Sequence, residues 1–491
     1  MTTAAAAEPR DTVFGLVAFV RSAGVLGIGS FANLARAIVT AKVLAVALGP
    51  SLVGVLSQLL NFSALASSVV ALGMTTGVVK LVADHRDDPR NLSAVAGTAG
   101  ALSLASGLLT AIALVPFANQ LSYLLTGSGR YGLLLWLIVA SFPLYNLAGV
   151  LGYVLQGLSD IRGLTAANVL TAAAAVAVLV PATFALGLLG AILSVLVMSG
   201  VQALIFLVAV AANLRRRALS LRAWRWSPTF ARALLGYGGV VLVGGIAIWL
   251  SLLVVRTLAI HAVGERGNGL YQVVYGLSNQ YVTVFMTWMA AYVFPRVAAQ
   301  RERAGLGVLL NSALRANLFI MVPVLVLTLA LRPVLIQVFY SAAFLDAGPL
   351  FPLQVLGDFF RVLGWSFAIS LFAQGHLRWH LVVVASQGAA WVGLTTLLLP
   401  ALGLQAIVAA YAGSFALYPI LGLALTGVLF DVRISAVNTI LSTLGLGSLL
   451  IAAVAPPFLG VPAAVIVPAA VYWQRWRAAS GPTPPPAPPA L

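Results

Sequence analysis

The chain has 491 residues, of which 61% are hydrophobic and only 8% charged, and its mean hydropathy is +1.05. Soluble domains carry roughly 25% charged residues, so this composition excludes a water-soluble globular protein. Apolar runs of about 20 residues recur along the sequence, and they do not alternate in the way that strands of a membrane β-barrel do. The composition therefore predicts an all-α polytopic membrane protein.

Fourteen apolar segments follow one another along the chain and predict fourteen transmembrane helices. In order they are 14–46, 52–80, 92–117, 131–157, 164–184, 186–213, 231–258, 267–295, 308–330, 347–374, 380–401, 403–429, 435–455 and 459–473. Residues 1–13 carry no signal-peptide pattern, and we expect them to stay cytoplasmic. The Pro-rich tail, 474–491, is expected to be disordered.

The net charge of +16 fits membrane topology better than nucleic-acid binding, because the chain has no soluble basic domain. If the N-terminus is cytoplasmic, the cytoplasmic loops and termini hold sixteen arginines, five of them within the linker 214–230. The opposite loops hold three, Arg130, Arg266 and Arg332. This bias predicts that both termini are cytoplasmic.

Three sequence matches suggest an internal duplication. Lys42, followed sixteen residues later by Gln58, is repeated 214 residues on by Arg256 and Gln272. The tetrapeptide ALGL at 185–188 recurs at 401–404, and the pair Gln156-Gly157 recurs as Gln374-Gly375. The matches predict two pseudo-symmetric six-helix lobes and two extra C-terminal helices, in the segments 14–213, 231–429 and 430–473. Each repeat contains an even number of helices, so the relating axis runs along the membrane normal.

Residues 41–84, AKVLAVALGPSLVGVLSQLLNFSALASSVVALGMTTGVVKLVAD, resemble the N-terminal signature of Wzx-type flippases. The resemblance lies in the basic residue of the first helix, Gly49-Pro50, Gln58, Asn61-Phe62 and the closing segment 77–83. These O-antigen translocases belong to the multidrug/oligosaccharidyl-lipid/polysaccharide (MOP) exporter superfamily, whose fold is MATE-like. Such flippases are often drawn with twelve spans; the extra pair is shared with lipid II flippases, so that alternative stays open.

The resemblance implies a function, a location and partners. It implies a bacterial inner-membrane protein that moves an undecaprenyl-diphosphate-linked oligosaccharide, such as an O-antigen repeat unit of lipopolysaccharide, from the cytoplasmic to the periplasmic leaflet. Transport would use alternating access of two lobes around a cationic cavity. The expected partners are this polyprenyl-linked glycan, membrane lipids and other polysaccharide-assembly proteins.

Cations inside the spans are the candidate site for a diphosphate. A charged group inside a bilayer costs roughly 2.5–3.5 kcal/mol on insertion scales, so it usually faces a cavity or a partner. Arginine offers a diphosphate bidentate hydrogen bonds and lysine a compact charge. The residues singled out are Arg36, Lys42, Arg256, Arg315 and Arg361. For Lys42 and Arg256 the competing interpretation is snorkelling to the outer headgroups.

Polar side chains in the same spans are candidates for sugar contacts and for coupling. Tyr271, Tyr275 and Asn279 form one helical stripe beside Gln272, and Gln58 shares a helix face with Asn61. Ordinary interhelical hydrogen bonding is the alternative for all of them. Asp358 is the acid well inside a span, and it precedes Arg361 by three residues. The two either neutralise each other or act in transport as coupling acid and ligand.

Motifs for catalysis are missing from the sequence. The four histidines are scattered without metal-ligand spacing, no Walker A motif occurs, and there are no cysteines. We therefore predict a transporter that is not an enzyme and that needs no cofactor or metal. A polysaccharide polymerase or ligase would normally need a larger external loop than this chain has. A multidrug exporter of the same superfamily stays open, although the chain has few of the buried carboxylates that ion coupling requires.

Overall fold

The computed structural model describes residues 16–216, 224–454 and 462–479. All regular elements within these ranges are helical, and ten helical stretches among them are long and apolar enough to cross a membrane. The prediction of an all-α polytopic membrane protein is confirmed. The predicted N-terminal segment 1–13 and the Pro-rich end from residue 480 onward lie outside the described residues.

The helices follow the predicted segments closely. In chain order they are α1 (Leu16–Val70), α2 (Thr75–Asp84), α3 (Pro89–Leu114), α4 (Ala118–Thr126), α5 (Gly132–Ala140), α6 (Phe142–Gly157), α7 (Ile161–Arg216), α8 (Pro228–Trp288), α9 (Phe294–Ala299), α10 (Arg303–Ala330), α11 (Arg332–Phe339), α12 (Phe351–Ala373), α13 (Leu377–Leu402), α14 (Gln405–Phe430), α15 (Ala436–Val454) and α16 (Ile466–Ala479). The last helix has only 14 residues and continues past the predicted limit at 473.

Four glycines break the helices in two matching ways. Gly49 (φ 67°, ψ 179°) within α1 has the same backbone conformation as Gly264 (φ 78°, ψ 176°) within α8. Gly187 (φ 57°, ψ −132°) within α7 matches Gly403 (φ 52°, ψ −130°), which ends α13. Only glycine adopts these positive φ values readily. The pairs are separated by 215 and 216 residues, within the range of 214 to 218 residues that separates the sequence matches, so the same arrangement of helices is used twice.

Residues cluster into two compact units, which we describe separately. The first comprises Met1–Leu48 and Phe62–Ile246. Its core is the apolar seam between α2, α3, α6 and α7, where Val78, Val95, Leu151 and Val210 are fully buried. At the start of α3, the backbone N–H groups of residues 91 and 90 donate to the carboxylate of Asp88 and lower its pKa.

The second unit comprises Gly49–Asn61 and Ala247–Leu491. Its helices α12 and α14 pack closely, because Gly357 and Gly364 lie directly against the rings of Tyr411 and Tyr418. A Cβ atom at either glycine would collide with those rings. Small residues at a helix interface let two membrane helices approach in this way. The close approach places Tyr411 on α14 next to the polar residues of α12.

The segment 49–61 belongs to the second unit because it packs against α8. A Cβ atom at Gly54 would collide with the carbonyl oxygen of Glu265, and one at Gly269 would collide with the carbonyl oxygen of Pro50. Asn268 Nδ2 also donates to the Gly54 carbonyl oxygen at 2.8 Å. Two glycines and one amide therefore fix this segment of α1 beside the break in α8.

Substituting Gly269 by alanine tests this contact. We expect Gly269→Ala to lower the free energy of unfolding by about 1–3 kcal/mol, because the added methyl group must push backbone apart. Gly393→Ala is the matched control, since a Cβ atom there has open space around it. The measurement is thermal unfolding of the two purified variants in one detergent. Equal melting temperatures would contradict the packing described.

Candidate functional site

Arg256 is a fully buried cation in the first half of α8. Its Nη1 donates to Ser57 Oγ at 2.9 Å, and its Nη2 donates to Gln272 Oε1 at 2.6 Å. The guanidinium also lies over two aromatic rings, 5.1 Å from the centroid of Tyr271 and 5.0 Å from that of Tyr275. Every one of these partners is neutral.

The break at Gly264 brings the two halves of α8 together around this cation. It lets Gln272, sixteen residues after Arg256, face back toward the guanidinium. The segment 49–61 supplies Ser57, and it is held there by a hydrogen bond of 2.7 Å from Gln58 Nε2 to Thr257 Oγ1. The repeated cation-and-glutamine spacing seen in the sequence thus becomes, in the second half of the chain, a direct hydrogen bond.

No carboxylate of the described residues lies within ion-pair distance of Arg256. Its Nε is buried and has no hydrogen-bond partner, and the same is true of the hydroxyl of Tyr271. A buried charge is strongly unfavourable unless it is paired, and an unmatched buried donor adds to the penalty. The site therefore holds positive charge and donor groups that its own residues leave uncompensated.

Asp358 on α12 is fully buried too, but its carboxylate is well satisfied. Oδ2 accepts hydrogen bonds from Ser278 Oγ, at 2.6 Å, and from the hydroxyl of Tyr281. Oδ1 accepts one from the hydroxyl of Tyr411 at 2.7 Å. Three hydroxyl groups thus solvate the carboxylate in place of water.

Arg361, one turn further along α12, does not contact Asp358 directly. Its Nη1 donates to the Tyr411 hydroxyl at 3.4 Å, so this tyrosine links the cation to the acid. The guanidinium lies 5.3 Å from the ring centroid of Phe415, and its Nε is buried without a partner. The direct ion pair that the spacing allows is therefore replaced by a hydroxyl bridge from another helix.

The two groups are joined by residues of α8. The rings of Tyr271 and Tyr275 lie beside the Arg256 guanidinium, and Ser278 and Tyr281 of the same helix donate to Asp358. We name the set formed by Arg256, Tyr271, Gln272, Tyr275, Asp358, Arg361 and Tyr411 the arginine–tyrosine cluster. It carries two cations against one carboxylate.

The remaining predicted residues lie elsewhere. Arg36 and Lys42 are half-buried in the first half of α1, within the first unit. Arg315 donates from Nε to Asn438 Oδ1 of α15 at 3.4 Å. Asn279 is exposed, while Asn61 is half-buried with an Nδ2 atom that lacks a partner. Their predicted roles in binding remain predictions.

One residue of the cluster and three of its hydrogen-bond partners were not identified from sequence. Ser278 lies seven residues after Tyr271, on the same face of α8, and Tyr281 lies three residues further along the helix. Ser57 and Tyr411 stand in apolar helices with no periodic signal. Among the described residues no group of three metal-ligating side chains lies together.

Tyr411→Phe tests the bridge between acid and cation. We expect it to lower the free energy of unfolding by about 1–3 kcal/mol, since it removes a hydrogen bond from a buried carboxylate. Tyr123→Phe, at an exposed tyrosine, should have no effect. In a double-mutant cycle with Asp358→Asn, the two changes in the free energy of unfolding should not be additive. Strict additivity would show that the Tyr411 hydroxyl does not stabilise the carboxylate.

Comparison with known proteins agrees with this architecture. Residues 43–349 match the family described as "Polysaccharide biosynthesis protein". The chain is 22% identical over 388 residues to the lipid III flippase of Escherichia coli K12, covering 79% of this chain and 92% of that protein.

Solved structures share the fold. An inward-facing multidrug resistance MATE family transporter of the MOP superfamily superposes with a TM-score of 0.68 at 17% identity, over 82% of this chain and 94% of that one. A MOP superfamily transporter from Pyrococcus furiosus gives a TM-score of 0.63 at 17% identity, over 84% and 95%. The chain shares the fold of these transporters, and the family match extends over more than half of the sequence. The chain belongs to the polysaccharide biosynthesis protein family.

Proposed function

We propose that this protein is a flippase that carries a polyprenyl-diphosphate-linked oligosaccharide across the membrane. The observation that supports the proposal most strongly is the fully buried Arg256, which is surrounded by tyrosine, glutamine and serine and has no anionic partner among the described residues. The family match and the likeness to a protein named lipid III flippase support the same class of cargo.

Each part of the cluster suits one part of such a cargo. Arg256 and Arg361 have unused N–H donors that match the oxygens of a diphosphate. The amide of Gln272 and the hydroxyl of Tyr275 suit sugar hydroxyls, and tyrosine rings can stack on sugar faces. Gln58, Asn61 and Asn279 complete the proposed glycan contacts. Arg36 and Lys42 are the proposed cations of the first six-helix lobe.

Binding requires a rearrangement of the cluster. Arg256 has no exposed surface, so an anion reaches it only after its hydrogen bond to Ser57 or to Gln272 opens. The diphosphate then takes the place of a neutral hydrogen-bond partner of Arg256. The new hydrogen bond is stronger, because both groups are charged. Such a change fits transport by alternating access, with Asp358 as the proposed coupling acid.

The proposed cargo in more detail is the O-antigen repeat unit of lipopolysaccharide, carried on undecaprenyl diphosphate. The second candidate is lipid II, which the two additional C-terminal helices favour. A multidrug exporter is the third, and the surplus of buried cations over carboxylates argues against it. Catalysis is not part of the proposal: we propose no polymerase or ligase activity, no cofactor and no metal.

A lipid profile tests the function. In a strain lacking the gene, we expect a polyprenyl-diphosphate oligosaccharide to accumulate in the cytoplasmic leaflet, and the wild-type protein to clear it. The double variant Lys42→Ala plus Arg256→Ala should not clear it. The diphosphate loses charge-assisted hydrogen bonds, each of which strengthens binding by about tenfold or more. Arg296→Ala, at an exposed arginine that bonds its own helix, should behave as wild type.

Two other results would redirect the assignment. Unchanged lipid-linked intermediates with new drug sensitivity would point to an exporter. Translocated but unpolymerised repeat units would point to a polymerase or ligase.

We further propose that the protein lies in the bacterial inner membrane with both termini cytoplasmic. The chain has no cysteine, so single cysteines report the orientation directly. Gly129→Cys should react with an impermeant maleimide added to spheroplasts, whereas Asp87→Cys should react only after permeabilisation. Both positions are exposed at the ends of spans. The reverse labelling pattern would invert the topology and overturn the charge argument.

A further inference from the structure

A groove of about 240 Å³ opens between four membrane helices of the second unit, α10, α12, α14 and α15. Its wall is mostly apolar, with Leu314, Phe359, Phe367 and Leu423 among the lining residues. Hydroxyl-bearing residues of α15, such as Ser442, form its polar side. The groove thus has the shape and polarity to accept a hydrocarbon chain that enters beside polar groups.

Beside the groove, a network of hydrogen bonds joins α10 to the start of α15. Asn438 is fully buried; its Nδ2 donates to the carbonyl oxygen of Asn311 at 2.8 Å, and its Oδ1 accepts from Arg315 Nε at 3.4 Å. Asn311 Nδ2 donates in turn to the carbonyl oxygen of Arg433 at 2.9 Å. Leu314 and Thr439, next in sequence to Arg315 and Asn438, line the groove.

Positive charge is concentrated at this network. Among the described residues Arg315 makes only that one hydrogen bond, so its four Nη–H donors have no protein acceptor. Arg433, in the loop before α15, is exposed and makes no side-chain hydrogen bond or ion pair within the same ranges. Against these two cations the loop offers one carboxylate, Asp431. A half-buried arginine inside a membrane protein usually has an anionic or polar partner.

We infer that this groove binds an anionic glycerophospholipid, with the phosphate on Arg315 and one acyl chain between α12 and α15. Basic pockets between membrane helices are known to take anionic headgroups. A soluble anion would not need the apolar wall, and a neutral lipid would not need the arginine. The site is separate from the arginine–tyrosine cluster and assigns Arg315 to a phospholipid in place of the cargo diphosphate predicted from sequence, so the inference holds for any cargo.

Ser442 distinguishes a glycerolipid from an isoprenoid phosphate. Its Oγ is buried and has no hydrogen-bond partner, whereas Thr439 and Thr443 donate to carbonyl oxygens of their own helix. Ser442 lies about one helical turn beyond Asn438, roughly 6 Å along the axis. Glycerophospholipids carry ester carbonyl oxygens at a comparable distance from the phosphate, and isoprenoid chains carry none. The unmatched hydroxyl is therefore assigned to an ester carbonyl.

Native mass spectrometry of the full-length protein with added lipid tests the inference. Phosphatidylglycerol should bind wild type more tightly than phosphatidylcholine does. Arg315→Gln should weaken phosphatidylglycerol binding about tenfold or more, and Ser442→Ala about two- to tenfold, as expected for a charged and a neutral hydrogen bond. Arg296→Gln, at an arginine that bonds its own helix, should leave the binding unchanged.

A photoactivatable acyl chain on phosphatidylglycerol gives a second readout that needs no variant. It should label wild-type peptides of α12 or α15 that line the groove. Undiminished binding by Arg315→Gln, labelling elsewhere, or displacement by inorganic phosphate would each overturn the inference. Polyprenyl monophosphate that binds more tightly than phosphatidylglycerol and is unaffected by Ser442→Ala would also overturn it, and would make the groove a tail site for the cargo.

Discussion

The structure of the second unit depends on how it accommodates the guanidinium of Arg256 without an anion. Full burial removes the water that would solvate this charge. Two hydrogen bonds and two aromatic faces replace part of that solvation. One of the two hydrogen bonds is accepted by Ser57 of the segment 49–61. The charge therefore helps to hold that segment against α8, and in the proposed function an anion exchanges with these neutral groups.

Charge is balanced unevenly within the arginine–tyrosine cluster. The carboxylate of Asp358 receives three hydroxyl hydrogen bonds, so it is satisfied by the protein. The two guanidinium groups each keep a buried N–H without an acceptor. Unmatched buried donors destabilise a fold. The presence of two such donors in one cluster therefore favours a ligand that supplies the missing acceptors. A diphosphate does so, and a cationic drug does not.

Sequence reasoning identified the fold and singled out six of the seven residues of the arginine–tyrosine cluster. A duplication was predicted from the shared spacing of Lys42–Gln58 and Arg256–Gln272 and from the ALGL repeat. The backbone agrees, since the glycines at the helix breaks have matching conformations in pairs. Partners on other helices could not be predicted, because nothing in the sequence of an apolar helix such as α14 indicates where Tyr411 points. The spacing of Asp358 and Arg361 suggested a direct pair for the same reason: local geometry permits it, and only the packing of Tyr411 against Gly357 places a hydroxyl between them.

The central claim is that Arg256 and Arg361 bind the diphosphate of the cargo. Its most direct test is the rate at which purified protein in liposomes translocates a fluorescent oligosaccharide on a polyprenyl diphosphate, compared with the same glycan on a polyprenyl monophosphate. Wild type should favour the diphosphate, and Arg256→Gln together with Arg361→Gln should abolish the preference. An equal preference in wild type and in the double variant would contradict the account.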